Sequence, residues 1–202
     1  MKKVAICGPS GVGKGYISNI ISSTYGFPVL DTDQTVHDMY ENDRELIKKL
    51  ALLFGDDVVK EGKIHRPTLR NIVFKDRRSL ELLNLTVHKE VRRYIFDWFK
   101  KMASMGHTAV FVDIPQIIES GMTKDFDLII GVESERSTRI KRIIKRDGVS
   151  LDDAEKRINN QLSAEEYKKV CHYTINNDGE DVFNALRKIF EEVNLIEKTE
   201  TE

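Results

Sequence analysis

Cysteine is scarce in this chain. Cys7 and Cys171 are the only two, and they have neither C-x-x-C spacing nor the makings of a disulfide framework. They are expected to be small buried thiols in a reducing compartment. No apolar run approaches the ~20 residues that a membrane span needs. The opening MKKVAIC turns glycine-rich within eight residues and does not continue as a leader. A cytoplasmic chain with no membrane partner is therefore expected. An excess of one charge is also missing: 32 basic residues face 33 acidic ones, for a net charge of −1. That balance gives no bulk attraction to polyanions, so no nucleic-acid partner is expected and any basic patch must be local. The five histidines show no paired metal spacing, and no His–Cys cluster exists, which argues against structural zinc. Repeats and low-complexity tracts are absent too.

What the chain has is a regular alternation. Residues 3–7 are an apolar run halted by Gly8, which suits a buried strand. In YISNIISSTY, Ile17, Ile20 and Ile21 fall at i, i+3 and i+4, the pattern of an amphipathic helix. FPVLD reads as a second strand ending at Asp31 and TAVFVDIP as a third ending at Asp113. DLIIGV and YTIN give a fourth and fifth before a last helix, DVFNALRKIFEEV. Strands alternating with helices imply βαβ units and a parallel sheet. From about residue 34 to 107 helical signals dominate, with Pro67 well placed at a helix start. This stretch reads as a mainly helical insertion over one edge of the sheet.

GPSGVGKGY, residues 8–16, fits the phosphate-binding pattern G-x-x-x-x-G-K-[ST] up to its last place. Gly8, Gly11 and Gly13 let the backbone turn so that successive N–H groups face a polyphosphate. The following helix adds the positive end of its dipole, and Lys14 brings a charge to the β/γ oxygens. The donor-binding set is thus Gly8, Pro9, Ser10, Gly11, Val12, Gly13, Lys14, Gly15 and Tyr16. Gly15 stands where a hydroxyl would meet Mg²⁺. That ion dehydrates reluctantly and keeps several waters, so a water can take the place. The hydroxyl of Tyr16 is too far from the backbone to substitute, and Ser18 is expected to point elsewhere.

Ligands of open α/β sheets lie outside the carboxyl ends of the strands. Asp31 and Asp33 arrive there, and at i and i+2 of an extended chain they would share a face. One of them could take the proton from an attacking hydroxyl. The alternative is a cap on the helix QTVHDMY, a role open to Asp33. Asp113 follows four apolar residues, where a Mg²⁺-bound water could be held; an ordinary strand-ending aspartate is the alternative. In ERSTRIKRIIKRD, Ile140, Ile143 and Ile144 should bury. Arg139, Arg142 and Arg146, with Arg136 continuing the row, lie on the other side. They read either as a solvated face or as a lid clamping a transferring phosphoryl group. No aromatic interleaving supports nucleic-acid binding.

In this order, GPSGVGKG, VLDTDQTVHDMY, LFGDDVV, GKIHRPTLRNIVF, LLNLTVHKEV, VFVDIPQIIESG, RIKRIIKRD, RINNQ and YTINNDG resemble the dephospho-coenzyme A kinase family over about residues 3–190. The resemblance implies ATP-dependent phosphorylation of the ribose 3′-hydroxyl of dephospho-CoA, the last step of CoA biosynthesis, with ATP and Mg²⁺ as cofactors. It implies Asp33 as general base, with Lys14 and Arg142 beside it in catalysis. Arg142, Arg146 and Asn177 fall on the ATP side. Asp33, His37, Arg66, Arg70, His88, Asp113 and Gln161 fall on the acceptor side, with Arg157 on the helix before Gln161. The chain differs from the family pattern at Gly15-Tyr16, at Lys89 and at Gln116.

The expected fold is α/β: a P-loop NTPase three-layer fold with a five-stranded parallel sheet, a helical acceptor-binding insertion and a lid. Its core takes residues 1–33, 108–135 and 171–193, the insertion 34–107, the lid 136–170 and a frayed tail 194–202. A monomer is expected, with an oligomer left open. The alternatives are another nucleoside monophosphate or small-metabolite kinase and, on the strength of Gly15, a non-catalytic ATP-binding module. A GTPase would need N-K-x-D and D-x-x-G, and neither occurs.

Overall fold

β1 (Lys2–Cys7) and α1 (Lys14–Tyr25) open the chain, followed by β2 (Val29–Asp31), α2 (Thr32–Asn42) and α3 (Arg44–Phe54). A short hairpin, β3 (Val59–Lys60) with β4 (Lys63–Ile64), leads to α4 (Arg66–Val73) and the long α5 (Arg77–Ser104). Then come β5 (Ala109–Asp113), β6 (Leu128–Glu133), α6 (Arg136–Asp147), α7 (Leu151–Asn159), α8 (Ala164–Lys168), β7 (Tyr173–Asn176) and α9 (Val182–Glu192). The computed structural model describes residues 1–179 and 181–198, so a frayed end over 199–202 lies outside the described residues.

The chain divides into two compact units, residues 1–30 with 101–202 and residues 31–100. The first holds a five-stranded parallel sheet in the order β2-β5-β1-β6-β7, the α/β arrangement that the alternating pattern implies. β1 lies in the middle because it is apolar on both faces: Val4, Ala5, Ile6 and Cys7 are all fully buried. From β1 the strand order runs outward in both directions, which makes its carboxyl end the switch point where such sheets bind ligands. Register sets the neighbours there, pairing Ile6 with Asp113 of β5 and Cys7 with Gly131 of β6.

Phe111 of β5 and Phe190 of α9 anchor the core of this unit, with ring centroids 5.4 Å apart. Phe27 packs on both, at 5.4 and 5.8 Å. In α9, Val182, Leu186, Ile189 and Phe190 bury one stripe at i, i+4, i+7 and i+8. Leu195 and Ile196 pack against the same core, and the backbone N–H of Leu195 donates to the Phe190 carbonyl at 2.8 Å. The packed chain therefore continues past residue 194, where the frayed tail was expected to begin. The helices α6 to α8 belong to this unit as well. Among the described residues, no helix is long and apolar enough to cross a membrane.

The second unit, residues 31–100, is helical apart from the β3–β4 hairpin. Leu46, Ile47 and Leu50 give α3 a buried face, and Val87, Val91 and Ile95 do the same for α5. Buried Glu90 on α5 accepts from Lys49 of α3 at 2.5 Å and pairs with Arg93 at 2.9 Å, so its charge is compensated.

Candidate active site

The loop between β1 and α1 is held from outside by side chains. Arg142 Nη1 donates to the carbonyls of Gly11 at 3.3 Å and Val12 at 3.0 Å, and to Ser134 Oγ at 3.1 Å. Its Nη2 donates to the Asn177 carbonyl at 2.7 Å. Asn177 Nδ2 reaches the Val12 carbonyl at 2.8 Å, and Arg139 Nε the Ser10 carbonyl at 2.9 Å. In a trans peptide the N–H points opposite to the C=O. Carbonyls of Ser10, Gly11 and Val12 turned toward α6 and Asn177 thus turn the amides of Gly11, Val12 and Gly13 the other way. Three amides on one side, at the start of α1, form an anion cradle.

Two glycines are obligatory here on steric grounds. Gly8 has φ +138°, and a Cβ there would lie 2.5 Å from the Val132 carbonyl. Gly11, at φ +85°, would meet the Arg139 carbonyl at 2.7 Å. Gly15 is different: a Cβ there would have nothing within 4 Å, so its missing hydroxyl is not imposed by packing. Lys14 folds back, its Nζ donating to the Gly8 carbonyl at 2.9 Å.

The arginine row divides: Arg136 and Arg146 are exposed, as a solvated face would be, whereas Arg139 and Arg142 reach the phosphate loop. Arg139 is only 9% exposed, and its Nη2 has no hydrogen-bond partner among the described residues. Burial, aided by nearby Arg136, lowers its pKa. Arg142 has its donors on the loop and Asn177. Arg146 pairs with Asp147 at 2.7 Å, and Arg157 pairs with the same carboxylate. Gln161, grouped by resemblance with the acceptor residues, accepts from the Ser10 N–H at 2.9 Å and so sits on the phosphate loop.

Asp113 ends β5 as expected and is 6% exposed. Its Oδ2 accepts from Ser18 Oγ at 3.3 Å, so Ser18 points at this carboxylate and not elsewhere. The periodicity that marked α1 hides this contact, because it depends on β5 lying beside β1. Mg²⁺ fits this donor set. Asp113 supplies a hard oxygen, and Gly15 leaves open space where water can complete the shell. Among the described residues, no group of three or more His, Cys, Asp or Glu could hold a metal without such help.

In the second unit, Asp31 caps α2, its Oδ1 accepting from the N–H groups of Asp33 at 2.8 Å and Gln34 at 3.0 Å. Asp33 is therefore in the first helical turn, and the extended i, i+2 geometry expected for the two carboxylates does not hold. Capping falls to Asp31, not Asp33. Arg66 and Arg70 come together on the wall of an open groove of about 850 Å³, with Tyr40, Leu69, Phe74 and Leu83 among its other walls. The Arg70 guanidinium lies over the Phe74 ring, 5.3 Å from its centroid. Burial raises the pKa of Tyr40, with Arg66 opposing the shift. Neither His37, which lies 3.8 Å from Glu41, nor His88 is a wall of this groove. Tyr40 and Phe74 close the segments VLDTDQTVHDMY and GKIHRPTLRNIVF that carry the resemblance, but were not singled out as site residues.

A family model for dephospho-CoA kinase matches residues 2–182. The chain belongs to the dephospho-CoA kinase family. It is 30% identical over 178 residues to a dephospho-CoA kinase of Listeria monocytogenes, covering 88% of each chain. Against that of Aquifex aeolicus the identity is 30% over 196 residues, covering 96% of this chain and 98% of the other. Among solved structures, TT1252 from Thermus thermophilus superposes with a TM-score of 0.79 at 29% identity, covering 95% of this chain and 97% of that one. Dephospho-CoA kinase from Campylobacter jejuni gives 0.69 at 26% identity, covering 96% and 98%. A shikimate kinase from Acinetobacter baumannii, at 0.54 and 15% identity over 98% and 96%, shares the fold. Family membership makes this protein a kinase of the final step of CoA biosynthesis.

Proposed function

We propose that the two units divide the reaction, with the loop unit holding ATP and residues 31–100 holding dephospho-CoA. The observation carrying the donor half is the cradle itself: amides of Gly11, Val12 and Gly13 turned away from Arg142 and Asn177. Lys14 leaves the Gly8 carbonyl and moves to the β/γ oxygens when nucleotide arrives. Asn177 and Arg142 act by keeping the loop in shape, and Arg146 serves the ATP side from the neighbouring turn.

The groove at Arg66 and Arg70 supports the acceptor half. Two guanidinium groups suit the diphosphate of dephospho-CoA, and the apolar walls suit its long arm. His37 and His88 complete the acceptor set outside the groove. Asp33 takes the proton from the ribose 3′-hydroxyl; it carries a carboxylate in the first turn of α2 and leaves capping to Asp31. Asp113 would hold Mg²⁺ through water, and Gln161 links α7 to the loop. Mg²⁺, when bound, neutralises charge on the phosphate oxygens. A cytoplasmic monomer belongs to the same reading, and the balanced charge of the chain supports the absence of a nucleic-acid partner.

The test is to incubate the protein with MgATP and dephospho-CoA, with AMP, CMP and GMP in parallel, and to follow products by mass spectrometry. CoA with no nucleoside diphosphate from the other acceptors is the expected result. ADP formed with a different acceptor, or with none, would overturn the acceptor assignment.

A further inference from the structure

Cys7 and Cys171 are 164 positions apart in the chain, yet their sulfurs lie 3.5 Å from each other. The fold brings this about in two steps. Register pairs Cys7, the last residue of β1, with Gly131 of β6. Gly131 then leaves a slot, since a Cβ on it would lie 2.7 Å from Cys171 Sγ. Cys171 fills that slot from the segment between α8 and β7, where its backbone N–H donates to the Tyr167 carbonyl at 3.2 Å.

The two thiols differ in access. Cys7 is fully buried, whereas Cys171 is half-buried. Cys171 also lines a small cavity of about 20 Å³, shared with Pro9, Val12, Arg139 and Tyr167. A space of that size admits a molecule about as large as water. The hydrogen bond from the Cys7 thiol favours a thiolate at Cys171 and disfavours one at Cys7.

We propose that Cys7 and Cys171 form a modification site, a dithiol that hydrogen peroxide closes into a reversible disulfide and so slows phosphoryl transfer. The Cys171 thiolate attacks one peroxide oxygen, the O–O bond breaks, and the departing hydroxide takes a proton to become water. The sulfenic acid left on Cys171 is then attacked by the Cys7 sulfur. An S–S bond forms, and the hydroxyl leaves as a second water with the Cys7 proton. In sum, two thiols and one peroxide give one disulfide and two waters. A thiol reductant reverses the change by exchange.

Closure has to move Cys171. The sulfurs must approach from 3.5 Å to about 2.05 Å, and Cys7 is fixed in β1 between β5 and β6. Six residues after Cys171 comes Asn177, whose side chain holds the Val12 carbonyl of the phosphate loop. A displaced segment therefore loosens the backing of the cradle. The effect on turnover rests on the kinase reading above, whereas the disulfide itself does not.

The experiment treats the reduced full-length chain with hydrogen peroxide, then measures three things. These are peptide linkage by mass spectrometry without reductant, ATP affinity, and the rate with MgATP and dephospho-CoA. The expected result is a Cys7–Cys171 linked peptide, severalfold weaker ATP binding and a severalfold lower rate, all restored by dithiothreitol. Cys171→Ala and Cys171→Ser should hold their rates through the same treatment. Thiols that stay open to alkylation would overturn the proposal. So would Cys171 passing to sulfinic acid with no link to Cys7, or a disulfide that leaves ATP binding unchanged. If the reduced protein turns over no dephospho-CoA, the kinase reading fails, while linkage and ATP binding still decide the switch.

Discussion

Arg142 Nη1 lies 3.0 Å from the carbonyl oxygen of Val12, and Asn177 Nδ2 reaches that same oxygen at 2.8 Å. One carbonyl with two donors is a peptide plane fixed in orientation, and the amide on its far side is fixed with it. The phosphate loop is thus shaped before nucleotide arrives, which lowers the ordering cost of binding.

Removing the guanidinium should loosen that plane. Arg142→Ala is expected to lower kcat/KM for ATP by about tenfold to a hundredfold, or about 1.4–2.8 kcal/mol. Arg142→Lys should recover little, because one ammonium cannot span Gly11, Val12 and the Asn177 carbonyl as a planar fork does. Steady-state kinetics with ATP varied, beside direct nucleotide binding, checks this. Equal kinetics for wild type and Arg142→Ala would remove the residue from the site.

Asp33→Asn should lower kcat by about 10²- to 10⁴-fold and leave ATP affinity unchanged. The helix survives because Asp31 is its cap. Asp31→Ala, in contrast, should destabilise the fold by about 1 kcal/mol. Comparing turnover, ATP titration and denaturant melts for the two variants separates base from cap.

Open space around Gly15 makes a gain-of-ligand variant feasible. Gly15→Ser should fold at least as well as wild type, since glycine in the first turn of α1 is a weak helix former. It should also shift the Mg²⁺ dependence of kcat to lower concentration by adding a hydroxyl where water served. A Mg²⁺ titration of both proteins reads this directly, and superposed curves would show that the metal does not approach Gly15.

The turn between α6 and α7 carries a pH dependence. Hydrogen bonding from Arg146, and secondarily from Arg157, lowers the Asp147 pKa from 3.8 to about 2. A depressed carboxylate stabilises the fold above its unfolded pKa, and that contribution fades as pH falls toward the folded value. Asp147→Asn should therefore be less stable than wild type at neutral pH. The difference should shrink as pH falls from about 4 through 2 and vanish only below the folded value, at about pH 1, as denaturant melts across that range will show. A gap independent of pH would mean that packing, not charge, holds the turn.

How far these features could be read from sequence depends on how local they are. The sheet was legible because its strands are short, mostly apolar runs, three of them halted at Gly8, Asp31 and Asp113, and the loop because its spacing is rigid. Asp31 and Asp33 were misread together: two carboxylates two apart look alike on an extended strand, but a helix starting at Thr32 makes one the cap and puts the other in the first turn. Arg139 was legible as part of a face but not as buried, since what covers it is the phosphate loop, far earlier in the chain; Arg142, half-exposed, reaches the same loop. The meeting of Cys7 with Cys171 depends on Gly131, a third segment, and no local pattern marks it.

The division of labour between the units is tested most directly by hydrogen exchange with each substrate added alone. ATP is expected to slow exchange at the amides of Gly11, Val12 and Gly13 and leave residues 31–100 unchanged. Dephospho-CoA is expected to slow exchange across residues 66–74 and leave the loop unchanged. Protection of residues 66–74 by ATP alone, or of the loop by dephospho-CoA alone, would contradict the assignment.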